Sequence, residues 1–168
     1  MNGFTSIDPA DFTEPIFERI GHDWFLLTAG IPGAFNTMTC SWGGMGVLWN
    51  QPVCFVFVRP GRYTYHFVER EDLFTLSFFD TRYRSALSFC GTHSGRTVDK
   101  TRETGLTPIC PDAGGIAFAE ASIIVTCRKL YADDLKESGC VDRAIVTLYP
   151  EKDYHRMLIG GIQGILKK

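Results

Sequence analysis

Apolar residues along this chain gather in short runs, set apart by glycine, proline and polar clusters. Residues 24–30, WFLLTAG, predict a strand, and IPGAFN after it predicts a turn. Residues 37–50 are mixed in character and rich in Gly and Trp. Residues 53–59, VCFVFVR, are almost continuously apolar, the pattern of a well-buried strand. The texture changes after Pro60-Gly61. Tyr65, Val68 and Glu69 fall at helical spacing, so 63–72 predicts a short helix. LFTLSFF at 73–79 returns to strand character, and 82–95 predicts a second helix ended by Gly91 or Gly95. Residues 96–115 are polar and turn-rich, which predicts a loop. Strands follow over 121–131 and over 144–149 (AIVTLY), with an acidic loop between them. Residues 157–168 predict one or two closing strands broken at Gly160-Gly161. Residues 1–20 predict a leader packed on the outside, in which Pro9 and Pro15 prevent a long helix.

Many short strands, few helices and no regular βαβ alternation point to a mainly β barrel or sandwich rather than a parallel sheet. With 168 residues the chain suits a single domain. A chain of this size buries roughly 70% of its unfolded surface, so a sizeable core is available. Aromatics make up 13% of the residues, and 13 of them are Phe concentrated in the apolar runs, which reinforces the strand reading.

Charge narrows the function classes. The formal net charge is -2 with both signs interspersed, so no global field recruits nucleic acid or an anionic membrane. Any anion must be held by a local cluster of donors. No apolar stretch has the length of a membrane span, and MNGFTSIDPADFTEP does not read as a signal peptide. Six cysteines at 40, 54, 90, 110, 127 and 140 show neither a C-x-x-C pair nor metal-finger spacing. They read as reduced, mostly buried thiols of a cytoplasmic protein. The four histidines are widely spread, which argues against a metal site, and no G-x-S-x-G, G-x-G-x-x-G or Walker loop is present.

Three clusters carry candidate chemistry. Asn36, Thr37, Met38, Thr39, Cys40, Ser41 and Trp42, followed by Gly43-Gly44, set hydroxyl and amide groups beside an open backbone. Such a segment can read both the polar edge and the apolar face of a planar cofactor; it also fits a Gly-rich turn with an interior Trp. Arg59, Pro60, Gly61, Arg62, Tyr63 and Thr64 stand where a buried strand meets a helix start. Free N–H groups and forked guanidiniums suit a phosphate there; exposed arginines at a cap explain the residues equally well. Ser94, Gly95, Arg96, Thr97, Val98, Asp99 and Lys100 offer a second anion seat, with Asp99 read as a solvated loop charge.

Taken together and in order, N-T-M-T-x-S-W at 36–42, R-P-x-R-Y-T at 59–64, F-T-L-S-F at 74–78 and S-G-R-T-V-D-K at 94–100 resemble the flavin reductase-like proteins. The C-terminal MLIGGIQGILKK is similar too, and the likeness runs over roughly residues 15 to 168. The resemblance implies a six-stranded antiparallel Greek-key split β-barrel with a few peripheral helices. It also implies a homodimer that binds two FMN molecules near the subunit interface. It assigns Asn36 to Trp42 to the isoalloxazine and ribityl chain. It assigns Arg59, Arg62, Tyr63 and Thr64, together with Ser94, Gly95, Arg96 and Lys100, to the phosphate end. The chain departs from the family at Thr97, where many relatives have Asp, and at Gly161, where they have an acidic residue.

The function implied is an oxidoreductase in which NAD(P)H reduces FMN, which passes electrons onward. An FMN-containing electron carrier similar to flavoredoxin, docking on a protein acceptor, and a non-catalytic flavin-binding dimer are the alternatives. His155 reads as a packed surface histidine that can shape the substrate mouth.

Overall fold

The computed structural model describes residues 3–168; Met1 and Asn2 of the leader lie outside the described residues. Strand β1 (Thr5–Ile7) precedes a 3-10 turn (Pro9–Asp11), helix α1 (Ile16–Glu18) and one π-helical turn (Arg19–Asp23). The prolines keep these pieces short, as the leader reading expects. Strands β2 (Phe25–Ile31), β3 (Ala34–Cys40), β4 (Gly43–Leu48) and β5 (Gln51–Val58) follow. After helix α2 (Tyr63–Arg70) come β6 (Leu73–Phe78), a 3-10 turn (Thr81–Tyr83), α3 (Arg84–Thr92) and α4 (Lys100–Thr104). Two short strands, β7 (Pro108–Ile109) and β8 (Ala117–Phe118), pair with each other. The long strands β9 (Ile123–Asp134) and β10 (Arg156–Lys167) complete the chain.

Every pairing is antiparallel, in the order β3-β2-β6-β9-β10-β5-β4. Strand β10 is long enough to serve two partners on one side: Arg156–Gly161 pairs with β5 and Ile165–Lys167 with β1. Side chains alternate across each strand. Phe25, Leu27 and Ala29 of β2 face the same interior cluster as Phe74, Leu76 and Phe78 of β6 and Cys54, Val56 and Val58 of β5. Six strands (β2, β3, β5, β6, β9 and β10) contribute buried side chains to that cluster, which is the expected six-stranded barrel. Strands β1 and β4 extend its sheet to eight. On the outer face, Leu26 and Ile124 are covered by Ala86, Leu87 and Cys90 of α3, which is why β2 is buried on both sides. Among the described residues, no helix is long and apolar enough to cross a membrane.

Several expectations change. The turn expected over IPGAFN shrinks to Pro32-Gly33, and the mixed segment after it resolves into β3 and β4. The loop expected over 96–115 holds α4, whose first N–H groups are capped by Asp99: its carboxylate accepts from the Thr101 and Arg102 amides at 3.0 and 3.1 Å. Gly160-Gly161 does not break β10. The strand passes through with register shifts at Ile159/Gly160 and Ile162/Gly164. The strand expected over 144–149 is instead part of a 3-10 helix (Arg143–Leu148), started by Asp142 capping the Ala144 amide. Its apolar run meets no sheet partner among the described residues, and the segment buries none of its six residues.

Candidate functional site

Among the described residues, strand β3 pairs with β2 on one side and no strand covers its other edge. In a strand the N–H and C=O of one residue point the same way. The Thr37 carbonyl on the open edge accepts from Lys100 Nζ at 2.7 Å and from Asn36 Nδ2 at 3.4 Å. The Thr39 N–H and C=O project from that same edge. Opposite stands the start of α2. Its cap residue, Arg62, is extended and makes no side-chain cap. The Tyr65 N–H turns to the Arg62 carbonyl at 3.0 Å, and among the described residues the Tyr63 and Thr64 N–H groups are left free for an anion.

Asn36 and Thr64 lock these two elements together, with Asn36 Nδ2 donating to Thr64 Oγ1 at 2.7 Å in a buried pair. Gly95 packs against the same amide. A Cβ there would lie 1.9 Å from Asn36 Oδ1 and 3.4 Å from Tyr63 Cδ1, so the 94–100 segment approaches only because residue 95 is glycine. The result is a run of connected recesses. One, of about 100 Å³, is lined by Met38, Arg62, Tyr63, Thr64, Ser94 and Lys100 among others. A second, of about 150 Å³, shares Met38 and Arg62 and continues past Cys40, Ser41 and Trp42 to His155. A broader recess of about 580 Å³ adjoins the first through Asn36, Gly95 and Lys100.

Electrostatics distinguish the two ends. At the α2 end, Arg62 Nη1 donates to the Gly91 carbonyl at 2.8 Å, and Lys100 Nζ donates to the Cys90 carbonyl at 2.7 Å. Both cations therefore sit on the C-terminal carbonyls of α3. Arg96 lies over the Tyr63 ring, with Nη2 2.9 Å from His66 Nε2. Among the described residues, none of these three cations has a carboxylate within ion-pair distance. Lys100 is 7% exposed, and burial draws its pKa below the usual lysine range, offset by Cys90 and reinforced by Arg62.

At the other end, Arg59 is already matched. Its Nη1 lies 2.9 and 2.8 Å from the two Asp153 oxygens, and its Nη2 donates to the Leu148 carbonyl. Burial pushes the Cys40 thiol up to about 12 against the pull of Arg62, so it stays protonated at neutral pH. His155 is buried, not on the surface, and burial together with Arg59 holds its imidazole down to about 4, hence neutral. Its ring lies 4.9 Å from the ring of Trp42, which is 45% exposed.

The structure brings all three sequence clusters to one groove, though individual side chains divide in role. Thr37 and Thr39 turn their hydroxyls away from it: Thr37 Oγ1 bonds Thr28 and the Leu27 carbonyl, and Thr39 Oγ1 donates to the Leu87 carbonyl. Their backbone faces the groove instead. Ser94 Oγ accepts from the Arg96 amide at 3.3 Å and turns the loop. Phe57, Tyr149 and Asp153 belong to the wall or its support and were not singled out from the sequence. Phe57 carries the ordinary signature of a strand residue, and nothing local to Asp153 marks its pairing with Arg59 across the fold. Among the described residues, no three His, Cys, Asp or Glu side chains group as a metal site.

The model of the flavin reductase like domain matches residues 17–160. The chain belongs to the flavin reductase-like family. Solved structures similar to this flavin reductase-like chain include an FMN-binding protein from Thermus thermophilus with bound p-hydroxybenzaldehyde. It is 17% identical with a TM-score of 0.69, over 96% of this chain and 81% of that one. Flavoredoxin of Desulfovibrio vulgaris (Miyazaki F) is 18% identical with a TM-score of 0.69, over 96% of this chain and 77% of that one. Nitrilotriacetate monooxygenase component B from Bacillus cereus is 21% identical with a TM-score of 0.64, over 96% and 80%. At these identities the likeness is one of fold. No curated protein sequence matches the chain.

Proposed function

We propose that this flavin reductase-like protein binds FMN and is an oxidoreductase that draws hydride from NAD(P)H. One observation carries the reading. Arg62, Arg96 and Lys100, none with a carboxylate partner among the described residues, stand around an uncapped helix start at one end of a groove whose other end is flat and aromatic. That polarity fits FMN. A phosphate dianion balances one buried cation, Lys100, and two exposed ones, Arg62 and Arg96, and the open β3 edge offers backbone N–H donors to a ring of carbonyls and nitrogens. Bound FMN supplies the hydride acceptor and the redox chemistry. The chain's part is to bind and orient. Arg62, Arg96, Lys100 and the α2 N–H groups would hold the phosphate end. Asn36, Ser41 and the Thr39 backbone would face the ribityl chain and ring edge, while Met38, Phe57 and Trp42 keep water from the flat face. Cys40, held as a thiol, adds bulk without charge.

The same reading makes the molecule a homodimer. Phe17 is 97% exposed, and with Ile16, Ile20, Trp42 and Met45 it lines an apolar groove of about 470 Å³. Strand β4 leaves its outer edge unpaired among the described residues. Edges and apolar patches of this kind call for a covering partner. Ser41 and Trp42 line both this groove and the redox end of the site, so a second copy would border the cofactor.

The test is the visible absorption spectrum of the purified protein before and after anaerobic NADH or NADPH. A yellow protein bleached by nicotinamide is the expected result. A yellow protein that nicotinamide leaves unchanged would favour an electron carrier of the flavoredoxin kind, in keeping with the fold likeness. A colourless protein that takes up no added FMN would overturn the proposal.

A further inference from the structure

On the wall of the redox end, the Nδ1 atom of His155 lies 2.8 Å from the Tyr149 hydroxyl. Tyr149 comes from the end of the 3-10 segment and is 4% exposed. Burial pushes its phenol up, so it keeps its proton at neutral pH. Among the described residues, Nδ1 is the sole hydrogen-bond partner of that hydroxyl. Two arrangements satisfy the distance. If Nδ1 carried the proton and donated, the buried Tyr149 O–H would have no acceptor, which costs about 1–3 kcal/mol. If Tyr149 donates, both groups are satisfied, and the neutral ring then carries its proton on Nε2. Nε2 has no protein partner among the described residues, and the ring it belongs to lines the cavity beside Trp42, Phe57 and Arg62. Arg59 and Arg62 oppose a second proton on the ring, while Asp153 favours one but is itself held by Arg59.

We propose that Tyr149 is a positioning residue: it holds His155 as the Nε2–H tautomer, so that the cavity offers a neutral hydrogen-bond donor to a carbonyl or carboxamide oxygen of a planar redox substrate. This inference rests on the oxidoreductase reading of the cavity. Trp42 and His155 line the same cavity with their rings 4.9 Å apart, so a flat molecule lying against the indole would bring a carbonyl at its rim toward the imidazole edge. A neutral donor contacts that oxygen before and during hydride transfer alike. It therefore supports binding uniformly and bears on KM rather than kcat.

The test joins long-range ¹⁵N–¹H NMR of the imidazole in the cofactor-free protein with steady-state kinetics of the FMN-loaded protein, using NADH and NADPH as carboxamide probes. The His155 signals are assigned by their loss in His155→Gln, and thermal melting verifies that each variant folds. The expected result is a single Nε2–H tautomer in the parent protein and mixed tautomers in Tyr149→Phe. The latter should show KM raised about twofold, as when half the rings carry the competent tautomer, with kcat unchanged, whereas His155→Ala, which loses the whole hydrogen bond, should raise KM about tenfold. His155→Gln, which keeps an N–H donor, should retain a lower KM than His155→Ala. An Nδ1–H tautomer in the parent protein, or a Tyr149→Phe protein with parental tautomer and KM, would overturn the inference. Absence of nicotinamide turnover together with the Nε2–H tautomer would remove the NAD(P)H reading and leave the positioning role of Tyr149 supported.

Discussion

Arg62 and Arg82 are both arginines near helix starts, and only their surroundings separate them. Arg62 borders both recesses of the site and reaches the end of α3, whereas Arg82 is 72% exposed with Asp80 3.6 Å away. Fluorescence titration should show FMN binding weakened about 10- to 100-fold by Arg62→Ala, the loss of a charge-assisted contact, and unchanged by Arg82→Ala. Equal effects would remove the phosphate seat from this groove. A second residue-scale outcome concerns pH. His155 is held at about 4 in the folded protein against an ordinary 6.5. Between those values the unfolded chain binds a proton there and the folded protein does not. Stability from this group is therefore intact above pH 6.5 and falls as pH drops toward 4, by about 1.4 kcal/mol per unit. Urea unfolding at pH 7 and pH 5 should show His155→Gln losing about 2 kcal/mol less than the parent over that step. Identical losses would mean that His155 titrates normally.

At the scale of elements, the long strand β10 depends on a residue without a side chain. A Cβ on Gly160 would lie 2.4 Å from Phe74 Cζ and 2.8 Å from Cys127 Cβ. The gap lets Cys54 and Cys127, on the strands either side of β10, bring their sulfurs to 3.1 Å inside the barrel. Gly160→Ala should cost about 1–3 kcal/mol by overpacking, read as a lower urea midpoint with an unchanged slope. A midpoint equal to that of the parent would show that the core yields there at little cost. The elements most legible in sequence were those whose pattern reports burial directly: β2, β5, β6 and α2. The strand expected over 144–149 failed because an apolar run such as AIVTLY records only where apolar side chains lie along the chain. Whether a neighbouring strand exists to receive the backbone is settled elsewhere. Here β9 and β10 pair directly with each other, and the segment between them closes on itself in a 3-10 helix started by Asp142, with no strand partner among the described residues.

For the whole molecule, the exposed apolar surface has a consequence in solution. Phe17, Trp42, Val47 and Trp49 are 97%, 45%, 78% and 53% exposed on a single chain, more than a lone copy leaves open without use. Light scattering after gel filtration should give a dimer, and Phe17→Glu should shift the protein toward monomer with its fold intact by circular dichroism. A parent protein that runs as a monomer at micromolar concentration would remove the second copy from the reading. A variant that stays fully dimeric would place the interface away from α1.

The amino-acid sequence by itself determined the class of fold, because short apolar, Phe-rich runs set apart by glycine, proline and polar clusters make many strands and few helices. It also marked the three segments that line the candidate groove, since glycine, arginine and short hydroxyl residues cluster in each of them. Only the tertiary structure decided which groups in those segments face the groove. Thr37 and Thr39 present backbone and not hydroxyl, Arg59 is taken by Asp153 while Arg62 is not, and His155 is buried and neutral. Each depends on contacts between residues far apart in the chain, and a single sequence carries no record of which distant partners will meet. Burial and partner, more than residue type, set whether a side chain is charged, which way its proton points and what it can bind.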